Sequence, residues 1–385
     1  MKPANKRRIK MADPYFNEYD RRSIHEGIDE ILSSSLSMGP NVIAFENEFA
    51  KKIGVKHAIA MNSCTSALEV ALIAKNVIGR EVIIPSETFI ATAMAVHLAG
   101  GIPVFAEISE STLCLDFNDI KSNINSETAG VILVHMAGLI TPDIFELRQF
   151  CDQHKLFLIE DVAHALGASY ENFMAGSFGN IGCFSFYPTK IITCGEGGML
   201  TTNEDKVAEI ARSLQNRGRD IHSSAEVYTI PGRNIRMTEM SALLGRVQLN
   251  HLEDFIKRRR ALASIYAHEL CGLENVSILF PQLIESSSFW KFPVILNQFI
   301  DRDSIMQSLI NEGIEVDKAY YPPLHLQPVF STLYGTYKGM LPKTESILSR
   351  HIFLPCHPRM TDKDAIFVIH TFKNAIKKYK KRTKS

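Results

Sequence analysis

The run Leu156–Leu200, LFLIEDVAHALGASYENFMAGSFGNIGCFSFYPTKIITCGEGGML, decides how the rest of the chain is read. Its first four residues are apolar and lead directly into Glu160 and Asp161, so a buried strand is expected to end on an acid. Open α/β sheets bind ligands outside the carboxyl ends of their strands, which is where Asp161 would stand. A second apolar run, IGCFSFYP, leads to Lys190 and then to the glycine-rich CGEGG. An acid and a lysine, each just past a buried strand, can face one crevice.

Outward from that run, apolar segments alternate with amphipathic ones. HAIAM, EVIIP, IPVFAEI and GVILVHMAG read as strands, while NSCTSALEVALIAK, SETFIATAMAVHLAGG and residues 143–154 read as helices. Alternation of this kind predicts an α/β fold with a mostly parallel central sheet and crossover helices. Upstream, Ile24, Ile28, Ile31 and Leu32, then Val42, Phe45, Phe49 and Ile53, have helical spacing on either side of LSMGP. Downstream, AEIARSLQNRGRD predicts a helix after Asp205, followed by a polar, irregular stretch to Gly232. The charged helix HLEDFIKRRRALASIYAHEL then leads to a strand, WKFPVIL, a helix in DRDSIMQSLINEGIEV, and a closing strand and capped helix with a lysine-rich tail. The expected division is an amino-terminal arm over 1–14, a large domain over 15–255 and a smaller α+β domain over 256–385.

Composition narrows the classes. A 385-residue chain that is 45% hydrophobic and 22% charged has the profile of a soluble globular protein with material for a large core. Its 42 basic residues are balanced by 42 acidic ones, so no net field attracts nucleic acid. No apolar run approaches the roughly 20 residues that cross a bilayer, and MKPANKRRIKM lacks the apolar core of a signal peptide. The seven cysteines are scattered without CxxC spacing, which suits reduced thiols and a cytoplasmic location. The histidines form no HExxH, and Cys151 with His154 is an isolated pair, so no metal is expected. GSFGNIG lacks the G-x-G-x-x-G spacing of dinucleotide-binding enzymes.

The acid and lysine suit pyridoxal 5'-phosphate. A lysine amine among apolar neighbours is desolvated and forms a Schiff base with an aldehyde. Asp161 would keep a proton on the pyridine nitrogen, making the ring an electron sink. Ser63, Thr65 and Ser66 stand at the start of a predicted helix, whose free N–H groups and positive dipole end suit a phosphate. Taken singly, Asp161 reads as a helix cap, Lys190 as a solvated lysine and the small polar residues as N-caps.

EDVAHALGASY, GSFGNIGCFSFYPTK, GEGGMLTTNED and PGRNIRMTEMSALLGRVQL resemble, in that order, the signature segments of the DegT/StrS sugar aminotransferases, which are fold-type I pyridoxal phosphate enzymes. The resemblance implies that Lys190 carries the cofactor, Asp161 partners its ring nitrogen and His164 lies beside the phenolic oxygen side of the ring. It also implies that Phe89 stacks on the ring, that Ser185 meets the phosphate, and that Ser63, Cys64, Thr65 and Ser66 form the phosphate turn, with Cys64 where the family commonly has glycine. Asn234 matches an asparagine that reaches the phosphate of the other subunit, implying a homodimer with shared active sites. Arg217, Arg219 and Arg236 carry no assigned role, and Tyr320, Tyr321 and His325 match a segment near the mouth of the site. HMAGLITPD departs from the family wording, and His135 reads as structural.

The activity implied is amino transfer, with glutamate as donor, to a nucleotide-linked keto sugar, most simply a 4-keto-6-deoxy sugar for cell-surface polysaccharide or glycoside synthesis. Two alternatives stand beside it. A pyridoxamine-dependent sugar dehydratase would have histidine where this chain has Lys190. A non-catalytic regulatory member would have no need of Lys190, Asp161 and the phosphate turn together.

Overall fold

The computed structural model describes residues 8–279 and 283–383. Strands β1 (His57–Met61), β2 (Glu81–Pro85), β3 (Ile102–Ala106), β4 (Thr128–Val134) and β5 (Phe157–Asp161) are followed by a short hairpin of β6 (Ser169–Tyr170) and β7 (Phe173–Met174), then by β8 (Ile181–Ser185) and β9 (Gly198–Thr202). Apart from the hairpin they form one seven-stranded sheet in the order β1-β9-β8-β5-β4-β2-β3. The pairs β2–β3, β2–β4, β4–β5 and β5–β8 are parallel, and β9 alone runs against its neighbours β1 and β8. The mostly parallel sheet expected from the sequence is present, with one reversed strand.

The strands are apolar on both faces because helices cover both. Along β5, Leu158 packs into a core with Phe45, Phe49 and Phe184, while Ile159 packs into the opposite core with residues of the helices Cys64–Ala74 and Ile90–Leu98. That is the two-residue alternation of a pleated strand with each face buried. Parallel pairing brings Asp161 level with Cys183, so the acid ends β5 just as β8 runs on toward Lys190.

Past the 19-residue helix Leu252–Leu270 comes a smaller antiparallel sheet of β10 (Val276–Ile278), β11 (Phe292–Leu296) and β12 (His351–Leu354), with the helices Arg302–Asn311 and Asp362–Thr383. The two sheets are tied at the segment before β11. Trp290 N donates to Ala137 O at 2.9 Å and Ser288 N to Gly138 O at 3.0 Å, joining that segment to the turn after β4. Arg259, buried in the long helix, donates to the carbonyls of Phe289 at 3.0 Å and Trp290 at 3.1 Å, and to that of Cys356. Burial pulls its guanidinium down to about 10, still charged near neutral pH. In the amino-terminal stretch Ile9 is buried and bridges to Ile314.

Two predicted elements are shorter than the sequence suggests. The helix predicted from Ser86 starts at Ile90, because Phe89 is extended and Ser86 Oγ is taken by the backbone N–H of His325 at 3.1 Å and its Nδ1 at 2.7 Å. The helix in AEIARSLQNRGRD ends at Gln215, since Arg217 and Gly218 adopt positive φ of 63° and 83°.

One glycine sets the position of the site. A Cβ at Gly198 would lie 2.3 Å from Ser63 C, 2.4 Å from Ser63 O and 2.5 Å from Cys64 N, all backbone atoms that cannot swing away. Absence of a side chain lets β9 press against the turn that starts the Cys64–Ala74 helix. Gly198→Ala is expected to cost on the order of 1–3 kcal/mol in urea unfolding, the usual cost of overpacking. An unchanged midpoint would show that the turn has room to move.

Candidate active site

At the carboxyl ends of β5 and β8 lies a cavity of about 540 Å³. Ser63, Cys64 and Thr65 line it from one helix start, Thr88, Phe89 and Thr92 from another, and Asp161, His164, Ser185 and Lys190 from the central run. Trp290, Lys291, Asp317 and Tyr320 close it from the side of the smaller sheet. Eight of the expected site residues therefore converge: Ser63, Cys64, Thr65, Phe89, Asp161, His164, Ser185 and Lys190.

Ser66 and Asn234 do not line it. The Ser66 hydroxyl is turned to Asn62 Oδ1 at 2.7 Å and Ser63 Oγ at 3.0 Å, so Ser66 braces the turn from behind. Asn234 is exposed in a backbone bridge to Asn216. Arg217, Arg219 and Arg236 also lie outside the lining, and Arg236 Nη1 donates to Asn216 Oδ1 at 2.6 Å. Tyr320 lines the cavity, whereas Tyr321 packs beneath the Arg302 guanidinium, 4.3 Å from its ring centroid. His325 is buried between Ser86 and Glu345. His135 sits in a buried network with Glu160 at 2.8 Å, and that carboxylate also accepts from the N–H groups of Gly176 at 2.8 Å and Gly179 at 2.6 Å.

Asp161 is buried, with Oδ1 accepting from Ala163 N at 3.1 Å and Oδ2 from Thr92 Oγ1 at 2.9 Å. Burial pushes its carboxyl above the usual range, and those two hydrogen bonds and the Lys190 charge pull the other way. Lys190 is half-buried, and desolvation brings its amine down to about 8, with Asp161 and Cys64 opposing and Lys291 adding to the fall. His164 is held neutral by burial and by the nearby Lys190 and Lys291 charges. Its ring stacks on Trp290 at 3.6 Å between centroids, its Nε2 lies 3.0 Å from the Tyr320 hydroxyl, and its buried Nδ1 has no partner among the described residues. Trp290 in turn donates from Nε1 to Thr189 O at 2.8 Å, and Lys190 Nζ lies 4.6 Å from its ring centroid.

At the helix start, Ser63 Oγ accepts from Ser66 N at 3.1 Å, while the N–H groups of Cys64 and Thr65 belong to the first turn, which has no intrahelical acceptors. Burial holds the Cys64 thiol far above its ordinary range, so Cys64 offers its N–H and not a thiolate. These features fit pyridoxal 5'-phosphate: open N–H groups for a phosphate, a buried acid held by a hydroxyl and a backbone N–H, an amine of lowered proton affinity, and an orphaned imidazole nitrogen.

Among the lining residues that escaped the sequence reading are Thr92, Trp290, Lys291 and Asp317. Trp290 is the only tryptophan of the chain, and Lys291 abuts an apolar strand at its amino end, where Asp161 stands at a carboxyl end. Thr92 lies in the first turn of a helix, and its contact with Asp161 spans 69 positions, which no local pattern announces.

The fold is that of the fold-type I pyridoxal phosphate enzymes. Residues 18–373 match the DegT/DnrJ/EryC1/StrS aminotransferase family, and the chain belongs to it. A GDP-perosamine synthase from Vibrio cholerae is 34% identical over 375 residues, covering 95% of this chain and 98% of its own. The solved structure of DesI in the presence of its TDP-sugar product has a TM-score of 0.87 at 29% identity, covering 99% of this chain and 96% of DesI. NtdA from Bacillus subtilis, solved with bound cofactor PMP, has a TM-score of 0.87 at 26% identity over 97% of this chain and 87% of NtdA. The protein is an aminotransferase and its cofactor is pyridoxal 5'-phosphate.

In cofactor-free protein the Lys190 amine should be unprotonated above about pH 8, where an ordinary lysine still carries its proton up to 10.5. Labelling of Lys190 by an acylating reagent should therefore rise with a midpoint near pH 8, and Asp161→Ala should lower that midpoint by removing a neighbouring negative charge. A midpoint near 10.5 would contradict the desolvated environment.

Proposed function

We propose that this protein transfers an amino group from glutamate to a nucleotide-linked keto sugar, a 4-keto-6-deoxy sugar in the simplest case, for surface polysaccharide or glycoside synthesis. One observation carries the reading: Lys190 and Asp161 share a cavity that the open first turn of the Cys64–Ala74 helix also lines. The names of the relatives, one a GDP-perosamine synthase and one solved with a TDP-sugar product, support the substrate class.

The bound cofactor supplies an electron sink for the carbon that loses or gains nitrogen. The N–H groups of Cys64 and Thr65 and the hydroxyls of Ser63 and Ser185 would hold its phosphate, and Phe89 would cover the ring. Asp161, kept in place by Thr92 and Ala163, would hold a proton at the ring nitrogen. His164, neutral and wedged between Trp290 and Tyr320, would orient the ring through its orphaned nitrogen. Once released, the Lys190 amine moves the proton at the substrate carbon; an affinity near pH 8 lets it both accept and return that proton. Two substrates using one site in turn imply ping-pong kinetics.

The working form in this proposal is a homodimer in the cytoplasm. Asn234, exposed and away from its own cavity, would then serve the phosphate of a second copy. Among the described residues no helix is long and apolar enough to cross a membrane.

Borohydride treatment of the yellow protein should fix the cofactor on the peptide containing Lys190, and Lys190→Ala should bind cofactor without turning over. Formation of 2-oxoglutarate from glutamate should depend on an added keto sugar nucleotide. Fixation on another lysine, or appreciable turnover by Lys190→Ala, would overturn the assignment.

A further inference from the structure

Lys291 and Asp317 face the same cavity from the side of the smaller sheet, and no step above uses them. Lys291 immediately precedes β11, is 5% exposed, forms an ion pair with Asp317 and lies 3.7 Å from the Trp290 ring centroid. A purely structural pair is a poor explanation. Removing an ammonium from water costs several kcal/mol, which a single partner seldom offsets. An ammonium also carries three donors, and Asp317 is the one hydrogen-bond acceptor Lys291 has among the described residues. The pair is asymmetric as well: the side chain of Lys291 is 6% exposed and that of Asp317 36%. The lysine is enclosed by its surroundings, while the carboxylate already touches water.

Ping-pong transfer requires this cavity to accept, in turn, an anionic amino acid and a sugar ring that presents hydroxyls. Lys190 is committed to the reaction and His164 is neutral, so Lys291 is the remaining cation among the described lining residues. A carboxylate lies one bond from the reacting carbon of an amino acid and reaches a buried lysine beside Trp290. The diphosphate of a sugar nucleotide lies several bonds from its keto carbon. We propose that Lys291 binds a carboxylate of the amino donor, with Asp317 as a counter-ion that gives way to the donor and accepts a sugar hydroxyl when the second substrate enters. This assignment rests on the transamination reading.

The test uses the cofactor-loaded protein and separates the two. L-Glutamate alone should change the absorbance of the bound cofactor in the native protein; no change would reject glutamate transamination itself, whatever Lys291 does. Given that change, Lys291→Met should raise the half-saturating glutamate concentration about 10- to 100-fold, the effect of losing one charge-assisted hydrogen bond. Hydroxylamine, a nucleophile with no carboxylate, should react with the bound cofactor at the native rate, which also shows that the variant is folded. Glutarate, a dicarboxylate with no amine, should slow hydroxylamine in the native protein and not in Lys291→Met. Asp317→Asn should lower the half-saturating glutamate concentration. An unchanged glutamate dependence in Lys291→Met, an equal loss toward hydroxylamine, or a loss confined to dTDP binding would overturn the proposal.

Discussion

Keeping an amine and a carboxylate out of water in one crevice is the constraint on which the rest of the structure depends. Asp161 and Lys190 influence each other's proton affinity, yet Asp161 takes its hydrogen bonds from Thr92 and Ala163. A carboxylate and an ammonium in direct contact would stabilise each other's charge and leave a poor nucleophile. Held as they are, desolvation dominates, and the amine falls to about 8. Parallel pairing of β5 with β8 enforces the arrangement, since it ends both strands on the same side of the sheet.

The crevice is finished from the smaller sheet. Arg259 fixes the carbonyls around Trp290, and the turn after β4 takes the N–H groups of Ser288 and Trp290. Trp290 then serves four neighbours, stacking on His164, donating to Thr189 and lying under the Lys291 and Lys190 amines. A shift between the sheets would disturb the imidazole, the loop carrying Lys190 and the lining of the cavity together. Apolar packing of the long helix Leu252–Leu270 and buried hydrogen bonds at its Arg259 oppose such a shift.

What could be read in the sequence follows from physics that acts locally. β5 was visible because a strand buried on both faces is a continuous apolar run, and Asp161 because it ends one such run while Lys190 follows another. Ser63 was visible because helix starts need side-chain acceptors. The start of the helix at Ile90 was not, because the hydroxyl of Ser86 is claimed by His325, 239 positions away. Likewise Trp290, Lys291 and Asp317 reach the cavity only when the two sheets meet, and Thr92 meets Asp161 only when its helix packs on the large sheet. Ser66 shows the converse: a residue of the right type in the right turn whose side chain is directed away from the cavity to Asn62.

Asp161 is the centre of the account, and the task proposed for it is to keep a proton on the heterocycle. Nitrogen-15 magnetic resonance of the loaded protein, with the label in the cofactor ring, reads that proton directly. The account predicts a protonated ring nitrogen in the native protein and an unprotonated one in Asp161→Asn with the cofactor still bound. The same resonance position in both proteins would contradict it.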